Sequence, residues 1–316
     1  MSYRLLKNML PVNDEEKKIL DGDVKINRKL YMAEETDIIN AKLLLKKGKL
    51  ISVRPHTRFI DFPPHTHDYI EVVYMCLGSS VHTVNGKQIL LSEGELLFLS
   101  RRATHSIKKS GEKDIAVNFI ILPEFFENSL AILEDDTSPL KKFILDSLYL
   151  DKGPDYLHFK VANELCIQNL VENLIWTINN DVKNKRMVNR ATMELLFLQL
   201  LNHTDSLYYD NPEDEAVVKV LKYADENYKN GSLCDVANML HYDVSWLSRE
   251  IKRKTGVNYT DIIQAKRLSQ AAFYLKNTSF KISDISLMVG YDNVSYFYRL
   301  FNAKYGQSPK RFRDCK

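Results

Sequence analysis

The last third of the chain contains an internal repeat, DVANMLHYDVSWLSREIKRKTG at 235–256 followed by DISLMVGYDNVSYFYRLFNAKYG at 284–306. Identical residues recur at an offset of 49 before an inserted Asn293 and at an offset of 50 after it. The identical pairs are Asp235/Asp284, Met239/Met288, Tyr242/Tyr291, Asp243/Asp292, Val244/Val294, Ser245/Ser295, Arg249/Arg299, Lys254/Lys304 and Gly256/Gly306. This register indicates one supersecondary unit that is present twice.

Each copy predicts a helix, a tight turn and a second helix. Ser232 and Asp235 have the spacing of a capping box before the first helix, and Gly256 is suited to end the second one. Apolar residues recur at helical spacing. They are Leu233, Val236, Ala237, Leu240, Leu247 and Ile251 in the first copy, and Ile282, Ile285, Val289, Phe297, Leu300 and Phe301 in the second.

The residues left to face outward from each second helix carry hydroxyl, amide or cationic groups. They are Ser245, Ser248, Arg249 and Lys252 in the first copy, and Ser295, Tyr298, Arg299 and Asn302 in the second. Arg can bond guanine through two hydrogen bonds, and Ser or Asn can bond other base edges or phosphates in the major groove. A solvated surface is the alternative for a single helix, but two copies with the same polarity favour a paired DNA reader.

Charge and spacing agree with that reading. Residues 241–316 contain 14 Lys and Arg against 6 Asp and Glu, while the rest of the chain contains 30 against 35. This asymmetry is typical of a polyanion-binding end, and Lys252, Lys254, Lys310 and Arg311 are candidates for phosphate contact. The segment 259–277 predicts one long helix that spaces the two readers for adjacent major grooves, about 34 Å apart.

The stretch ISDISLMVGYDNVSYFYRLFNAKYGQSPKRFR at 282–313 resembles the signature of the AraC/XylS family of bacterial transcription regulators. The matching positions are Gly290, Tyr291, Ser295, Phe297, Arg299, Phe301, Gly306, Ser308, Pro309 and Arg313. The resemblance implies that Ser245, Ser248, Arg249, Val294, Ser295, Tyr298 and Arg299 contact bases or backbone in two successive major grooves. Val294 is not polar and is suited to a thymine methyl. The resemblance also implies activation through contact with RNA polymerase.

Residues 51–123 predict an antiparallel barrel or sandwich. Short runs rich in Val, Ile, Tyr and Phe alternate with turns, as in IEVVYMCLGS, SVHTVNGKQILL, GELLFLS and IAVNFIIL. Asn85-Gly86 lies between two such runs and predicts a hairpin turn.

The stretch HTHDYIEVVYMCLG at 65–78 is similar to the first cupin motif, and His105 matches the histidine of the second. Alternate residues of a strand share a face, so His65, His67 and Glu71 are expected to point together into the barrel. Three histidines and a carboxylate suit a first-row divalent metal such as Mn, Fe, Ni or Zn.

The motif departs from the cupin pattern at Phe59, Ser100, Arg102 and Lys109. We therefore expect His65, His67, Glu71 and His105 to line an effector pocket without a cofactor, with a divalent metal at the same four residues as the alternative. Structural hydrogen bonds are a further alternative for His65 and His67, and His82 is another candidate for the pocket. Tyr69, Tyr74 and Phe98 predict an aromatic lining suited to a small organic effector such as a sugar.

The sequence predicts an α+β chain in four parts. Residues 1–158 form a cupin-like antiparallel β-barrel with flanking helices, 159–204 a helical dimerisation segment, 205–214 a linker, and 215–316 an all-α domain of two helix-turn-helix units joined by a long helix. In the helical segment Leu165, Ile167, Leu170, Val171, Leu174 and Ile175 recur at helical spacing. Such a stripe requires cover from the barrel or from a second copy of the chain.

Composition limits the class of protein. Hydrophobic residues make up 45% and charged residues 27% of 316 residues, as in globular proteins, and the sequence contains no membrane-spanning apolar run. The N-terminal stretch becomes acidic too soon for a signal peptide, so none is expected. The cysteines Cys76, Cys166, Cys234 and Cys315 form no CxxC pair. Reduced thiols and a cytoplasmic location are expected.

The sequence therefore predicts a homodimeric transcription regulator rather than an enzyme. A small-molecule effector in the barrel controls binding to double-stranded promoter DNA, with activation through RNA polymerase and no membrane partner. The alternative is a metal-binding cupin sensor or a metal-dependent cupin enzyme, in which the repeat has no role.

Overall fold

The computed structural model describes residues 3–22, 25–32, 36–125, 156–203, 206–208 and 212–314. The chain divides into two compact units, whose described residues lie within 3–208 and 212–314. The four-part division made from the sequence stays a prediction, and residues 204, 205 and 209–211 lie outside the described residues. No helix in the described ranges is long and apolar enough to span a membrane.

The strands of the first unit form two sheets. They are β1 (Ile38–Ile39), β2 (Ile51–Pro55), β3 (Phe62–His67), β4 (Ile70–Leu77), β5 (Ser79–Val84), β6 (Lys87–Ser92), β7 (Leu96–Leu99), β8 (His105–Ile107), β9 (Ile115–Ile121), β10 (Tyr156–Phe159) and β11 (Leu207–Tyr208). One sheet has the order β1-β3-β8-β5-β6 and the other β11-β10-β7-β4-β9-β2. All pairs are antiparallel except β1 with β3.

Local chemistry sets the β5–β6 hairpin. Val84 pairs with Lys87, and Asn85 and Gly86 have φ angles of 48° and 84°. Two positive φ angles define a turn whose twist matches that of the flanking strands, and Asn-Gly adopts it with little strain. The predicted hairpin is confirmed.

Helices α4 (Leu165–Asn179) and α5 (Lys185–Asn202) cover the six-stranded sheet. The predicted apolar stripe is buried at Ile167, Val171, Leu174 and Ile175, whereas Leu165 is exposed. Tyr74 in β4 donates to Gln168 at 2.6 Å, and the rings of Phe98 in β7 and Phe197 lie 5.6 Å apart. The barrel therefore covers this stripe.

The short helices α1 (Tyr3–Met9) and α2 (Asp14–Leu20) precede β1, and α3 (Ala41–Leu44) lies between β1 and β2. Arg58 ties this segment to the barrel, because its guanidinium bonds Glu16 at 2.7 and 2.8 Å and also donates to the carbonyls of Leu10 and Glu112. Both charged side chains are at least 97% buried. A buried pair with these additional hydrogen bonds is strongly destabilised when one partner is removed.

The second unit is helical. Its helices are α6 (Pro212–Glu226), α7 (Leu233–Leu240), α8 (Val244–Thr255), α9 (Tyr259–Asn277), α10 (Ile282–Met288), α11 (Val294–Tyr305) and α12 (Pro309–Asp314). The pairs α7–α8 and α10–α11 are the two copies of the repeat. The predicted α+β class, with a barrel followed by two helix-turn-helix units and a long connecting helix, is confirmed.

The caps of the repeat follow the sequence. Ser232 and Asp235 form the predicted capping box, and Gly256 and Gly306 end α8 and α11 with φ angles of 77° and 68°. Val236, Leu247 and Ile251 are fully buried in the first copy, as are Ile285, Val289, Phe297 and Phe301 in the second. Helix α9 has 19 residues, which gives a length of about 28 Å.

Candidate DNA-reading surface and ligand pocket

Helix α8 presents the first set of candidate reading residues. Asp243 caps it by accepting a hydrogen bond from the Trp246 amide at 2.8 Å. Ser245, Arg249 and Lys252 are exposed, and Ser248 is half-buried. The hydroxyl of Ser245 therefore lies in the first turn, where the helix dipole favours phosphate, while Arg249 follows in the middle of the helix and Lys252 in its last turn.

Helix α11 presents the second set in the same register. Asn293 caps it through the Tyr296 amide at 3.0 Å, and Ser295, Arg299 and Asn302 are exposed. Val294 is half-buried. Tyr298 is also half-buried, because it packs against the core around Phe297, which leaves only part of its ring for contact.

Tyr296 is a feature of this surface that sequence reasoning missed. Its ring is 41% exposed, and the guanidinium of Arg299 lies over it at 5.0 Å from the ring centroid. Such a cation–π contact holds an Arg side chain in one orientation. The i, i+3 spacing of an aromatic residue and an Arg on one helix is a signal that could have identified it.

Arg267 in α9 connects the two helix-turn-helix units. Its guanidinium donates to the carbonyls of Tyr228 at 2.7 Å and Lys229 at 2.6 Å, both before α7, and lies 5.2 Å from the ring centroid of Tyr291. One side chain thus bonds the segment that leads into the first copy and contacts the turn of the second. The sequence contained no signal for this contact, because it joins residues far apart in the chain.

The candidate phosphate contacts differ in availability. Lys252, Lys310 and Arg311 are exposed, while Lys254 is half-buried. Arg253, also on α8, donates hydrogen bonds to Glu250 at 2.9 Å and to Glu213 at 2.8 Å. Arg253 is therefore partly neutralised.

The candidate ligand residues of the first unit lie inside the barrel. His65 on β3 pairs with His105 on β8. These two residues, His67 and Glu71 are all buried, with at most 3% of each residue exposed. His67 Nε2 and His105 Nε2 are 3.2 Å apart, and each lies 3.3 Å from Glu71 Oε2. The four predicted residues are thus brought together.

The route to this convergence differs from the sequence expectation. Residues 65–78 were predicted as one strand segment, with Glu71 on the same face as the two histidines. The chain instead bends at 68–69, so His65 and His67 belong to β3 in one sheet and Glu71 to β4 in the other. Glu71 therefore faces the histidines across the barrel interior.

Burial controls the charge state of the cluster. It lowers the pKa of His65 and His105 to about 3, and it lowers the pKa of His67 well below the usual range. Burial also raises the pKa of Glu71, against the lowering effect of nearby His65 and His56. The imidazoles are accordingly neutral near pH 7, with a ring nitrogen lone pair available.

A small cavity of about 30 Å³ adjoins the cluster, with room for about two water molecules. The residues on its wall include Tyr31, Ile39 and Leu44 from the segment before β2, and Arg54, His56, His65, Tyr69, Glu71 and Asn118 from β2 onward. Arg54 contacts Tyr31 and lies 3.6 Å from Glu15. The lining is mixed, because the apolar side chains of Ile39, Leu44, Phe62, Ile107 and Ile120 lie beside these polar groups. It therefore suits a small ligand that has both polar and apolar parts.

The predicted aromatic lining is wrong for two of its three members. Tyr69 borders the cavity, but Tyr74 and Phe98 face α4 and α5 outside the barrel. His82 is fully buried in the interior, where its Nε2 bonds Ser80 at 2.9 Å, and its ring lies 6.0 Å from those of His56 and His105. Arg54, His56 and Asn118 are cavity residues that the cupin motif did not indicate.

Comparison with known families matches both units. Residues 50–201 match the AraC-like ligand binding domain, and residues 236–314 match a helix-turn-helix domain. The chain is similar to the HTH-type transcriptional activator RhaS of Escherichia coli, with 23% identity over 273 residues that cover 84% of this chain and 92% of RhaS.

Solved structures give weaker likenesses. The C-terminal domain of AraT, a response regulator from Geobacillus stearothermophilus, has 28% identity and a TM-score of 0.32, covering 34% of this chain and 89% of that one. An apo variant of ToxT from Vibrio cholerae has 14% identity and a TM-score of 0.38, covering 85% of this chain and 99% of that one.

Proposed function

Because the chain belongs to the AraC family of DNA-binding transcription regulators, we propose that it activates transcription from promoters read by α8 and α11. A small molecule held in the barrel controls this activity. The observation that carries the proposal is the pair of capped helices of 12 residues each, with Arg249 and Arg299 exposed at equivalent positions.

The proposed contacts divide by chemistry. Arg249 and Arg299 read guanines, Ser245, Ser248, Ser295 and Asn302 bond other base edges or phosphates, and Val294 and Tyr298 make apolar contacts. Lys252, Lys254, Lys310 and Arg311 contact phosphates, which makes affinity fall with salt. Exposure of the two arginines and of Lys252 supports this assignment.

The sign of regulation comes from the relatives. RhaS is named as a transcriptional activator and aligns with 84% of this chain. We infer that this protein also activates, through contact with RNA polymerase, and that it acts in the cytoplasm, where promoter DNA is found. The barrel has no catalytic role in this proposal, since the matched relatives are named as transcription regulators.

We propose that the effector binds beside His65, His67, Glu71 and His105. Effector binding changes DNA affinity only if the effector binds two states of the protein unequally. The cavity that His65 and Glu71 line supports this position.

Dimerisation is proposed through the outer face of the helical pair. Met187 and Leu195 are 69% and 46% exposed, and they lie eight positions apart on one face of α5. Exposed apolar side chains on one helix face are typical of a surface that pairs with another chain.

This surface is tested by sedimentation velocity of Leu195→Asp beside the unchanged protein. We expect the variant to sediment as a monomer, and a variant that remains dimeric would exclude this face as the interface.

The central test is binding of the full chain and of residues 212–316 to tiled DNA from upstream of its own and neighbouring genes. Fluorescence anisotropy at two salt concentrations separates sequence-specific binding from background. We expect tight binding to one tile and weaker, salt-sensitive binding to the others. Absence of binding by both proteins at every salt concentration contradicts the proposal.

A further inference from the structure

Arg253 on α8 is a cation beside the candidate reading residues. It follows Arg249 by four positions, so the two side chains lie on the same side of the helix, about 40° apart around its axis. The side chain of Arg253 is 53% exposed. A cation at the flank of a reading helix is suited to contact a phosphate at the edge of the major groove.

Two carboxylates from different helices hold this guanidinium. Glu250, on α8 itself, accepts a hydrogen bond from Arg253 Nε at 2.9 Å, and Glu213, on α6, accepts one from Nη2 at 2.8 Å. Two carboxylates against one guanidinium leave this group of side chains with a net negative charge. A phosphate that approached Nη2 would therefore have to replace the Glu213 carboxylate and would be repelled by it.

The second copy of the repeat has no such arrangement. At the offset of 50, Ala303 stands at the position of Arg253, and Leu300 stands at the position of Glu250. Helix α11 nevertheless has the same 12-residue length and the same glycine end as α8. A helix-turn-helix unit thus forms without this ion-paired cluster, so the cluster is a property of the first reader rather than a requirement of the fold.

Glu213 occupies a position from which it can be withdrawn. It is the second residue of α6, the helix through which the chain enters the second unit. The first turn of a helix frays at a low free-energy cost. A displacement of the chain before α6 therefore moves Glu213 away from Arg253, whereas Glu250 stays in place because it belongs to α8.

We propose that Arg253 is a phosphate-contact residue that Glu213 restrains, so that the position of the first turn of α6 sets the DNA affinity of the first reader. The proposal rests on the proposed function, because it requires α8 to lie against DNA. When Glu213 withdraws, Arg253 Nη2 pairs with a phosphate while Glu250 still orients the guanidinium through Nε. An effector-driven movement of the chain before α6 then raises DNA affinity without any change in the base-reading side chains.

The expected effect is modest. The side chains of Glu213 and Arg253 are 43% and 53% exposed, and an exposed ion pair of this kind shifts an equilibrium by about 2–5-fold. Release of Arg253 is therefore expected to raise DNA affinity by about 2–5-fold. One additional phosphate contact is also expected to steepen the dependence of log affinity on log salt concentration by up to about 0.9.

The experiment compares Glu213→Gln with Glu215→Gln in the full chain. Both substitutions remove one negative charge near the start of α6, but Glu215 pairs with Lys219 at 2.7 Å rather than with Arg253. Fluorescence anisotropy over a series of salt concentrations uses two probes: the DNA tile that the unchanged protein binds most tightly, and a scrambled duplex of the same length. We expect Glu213→Gln to bind both duplexes about 2–5-fold more tightly than Glu215→Gln, with a steeper salt dependence. Equal affinities and slopes for the two variants overturn the proposal.

Arg253→Ala completes the comparison. In an Arg253→Ala background we expect Glu213→Gln and Glu215→Gln to bind DNA alike, because the cation that Glu213 restrains is gone. If Glu213→Gln still binds more tightly there, its effect does not pass through Arg253 and the proposal is wrong. Circular dichroism of every variant establishes that α6 and the rest of the chain are folded.

The same measurements separate this proposal from the proposed function. If the unchanged protein binds one tile specifically while Glu213→Gln and Glu215→Gln behave alike, only the restraint of Arg253 is overturned. If no tile is bound specifically but Glu213→Gln strengthens salt-sensitive binding to the scrambled duplex, the proposed function is overturned and the phosphate contact stands. If the unchanged protein and all variants fail to bind either duplex, both are overturned.

Discussion

Arg249 and Arg299 hold equivalent positions in the repeat, but their surroundings differ. Arg299 lies over Tyr296 at 5.0 Å, whereas Trp246, at the position equivalent to Tyr296, stacks on Tyr242 at 4.7 Å. Arg299 is thus oriented before DNA arrives, and less side-chain freedom is lost when it binds. We expect the second helix to discriminate bases more sharply than the first.

Replacement of Arg299 by Ala tests its role as a base reader. We expect Arg299→Ala to weaken operator binding by about 1–3 kcal/mol with little effect on random DNA, because a bidentate contact to guanine is lost. Lys252→Ala is the contrast, and we expect it to weaken both DNAs alike and to reduce the salt slope by about 1. Fluorescence anisotropy on operator and scrambled duplexes measures both, and equal losses on the two duplexes for Arg299→Ala would contradict its assignment.

The ring of Tyr296 can be tested by a pair of substitutions. Tyr296→Phe keeps an aromatic face under Arg299, while Tyr296→Leu removes it at similar bulk. We expect Tyr296→Leu to lose about 0.5–1 kcal/mol of operator affinity and Tyr296→Phe to lose little. If both variants bind the operator alike, the ring does not orient the guanidinium.

Residue-level prediction succeeded where the environment is local. The apolar periodicity of α8 and α11 was sufficient to predict that Arg249, Ser295 and Arg299 are exposed. It was insufficient for Tyr74 and Phe98, because β4 and β7 are buried on both faces and alternation then gives no direction. Side-chain stacking such as that of Arg299 on Tyr296 depends on rotamers, which a single sequence does not specify.

At the scale of elements, the two turns of the repeat use different residues for one backbone shape. His241 and Gly290, which lie 49 positions apart, both have positive φ angles, of 59° and 91°. A Cβ at Gly290 would lie 2.5 Å from the Lys229 carbonyl and 3.1 Å from the Arg267 guanidinium carbon. The second turn therefore requires glycine because of close packing as well as backbone shape.

Gly290→Ala and Gly306→Ala form a matched pair. Both positions have positive φ, but no atom lies within 4 Å of a Cβ at Gly306. We expect Gly306→Ala to cost about 1–2 kcal/mol of stability through its backbone alone. Gly290→Ala is expected to lower the free energy of unfolding by more than this and to weaken operator binding as well. If thermal unfolding shows equal stability losses for the two variants, the backbone around Lys229 shifts at little cost.

The elements themselves were predictable to different degrees. The β5–β6 hairpin and the caps of α7 follow from a few neighbouring residues, so the sequence predicted them correctly. The bend at 68–69 that splits β3 from β4 was missed, because both halves have strand-like composition. The addition of β10 beside β7 joins residues far apart in the chain, which periodicity cannot detect.

For the whole molecule, the buried histidines predict a stability that depends on pH. Burial lowers the pKa of His56 and holds that of His82 well below its ordinary value of 6.5. Below about pH 6.5 the unfolded chain binds protons that the folded chain does not, so stability is full above that pH and falls as pH decreases. Each such histidine contributes up to about 1.4 kcal/mol per pH unit.

Thermal unfolding of metal-free protein between about pH 7 and pH 5 checks this. We expect the Tm to fall, and we expect a shallower fall in His82→Gln, whose side chain can still bond Ser80 but does not titrate. A Tm that stays constant over this range would mean that the histidines take up protons in the folded protein.

The contacts of Arg267 predict that the two helix-turn-helix units of the second unit bind DNA at a fixed spacing. Arg267→Ala removes the bonds to Tyr228 and Lys229, which loosens the spacing of the two helix-turn-helix units. We expect weaker binding to an operator that spans two major grooves and little change on DNA with one half-site. Lys219→Ala serves as the control, since Lys219 lies on α6 and pairs with Glu215; equal losses on both DNAs for Arg267→Ala would contradict a spacing role.

The small cavity beside the histidine cluster also affects how fast a ligand can bind and leave. Its wall includes Tyr31, Ile39 and Leu44, and it has room for about two water molecules, so a larger ligand fits only when the lining side chains move apart. We expect such a movement to limit association and to slow dissociation as well. We therefore expect a bound effector to leave slowly, so that the effector-bound state outlasts a brief fall in effector concentration.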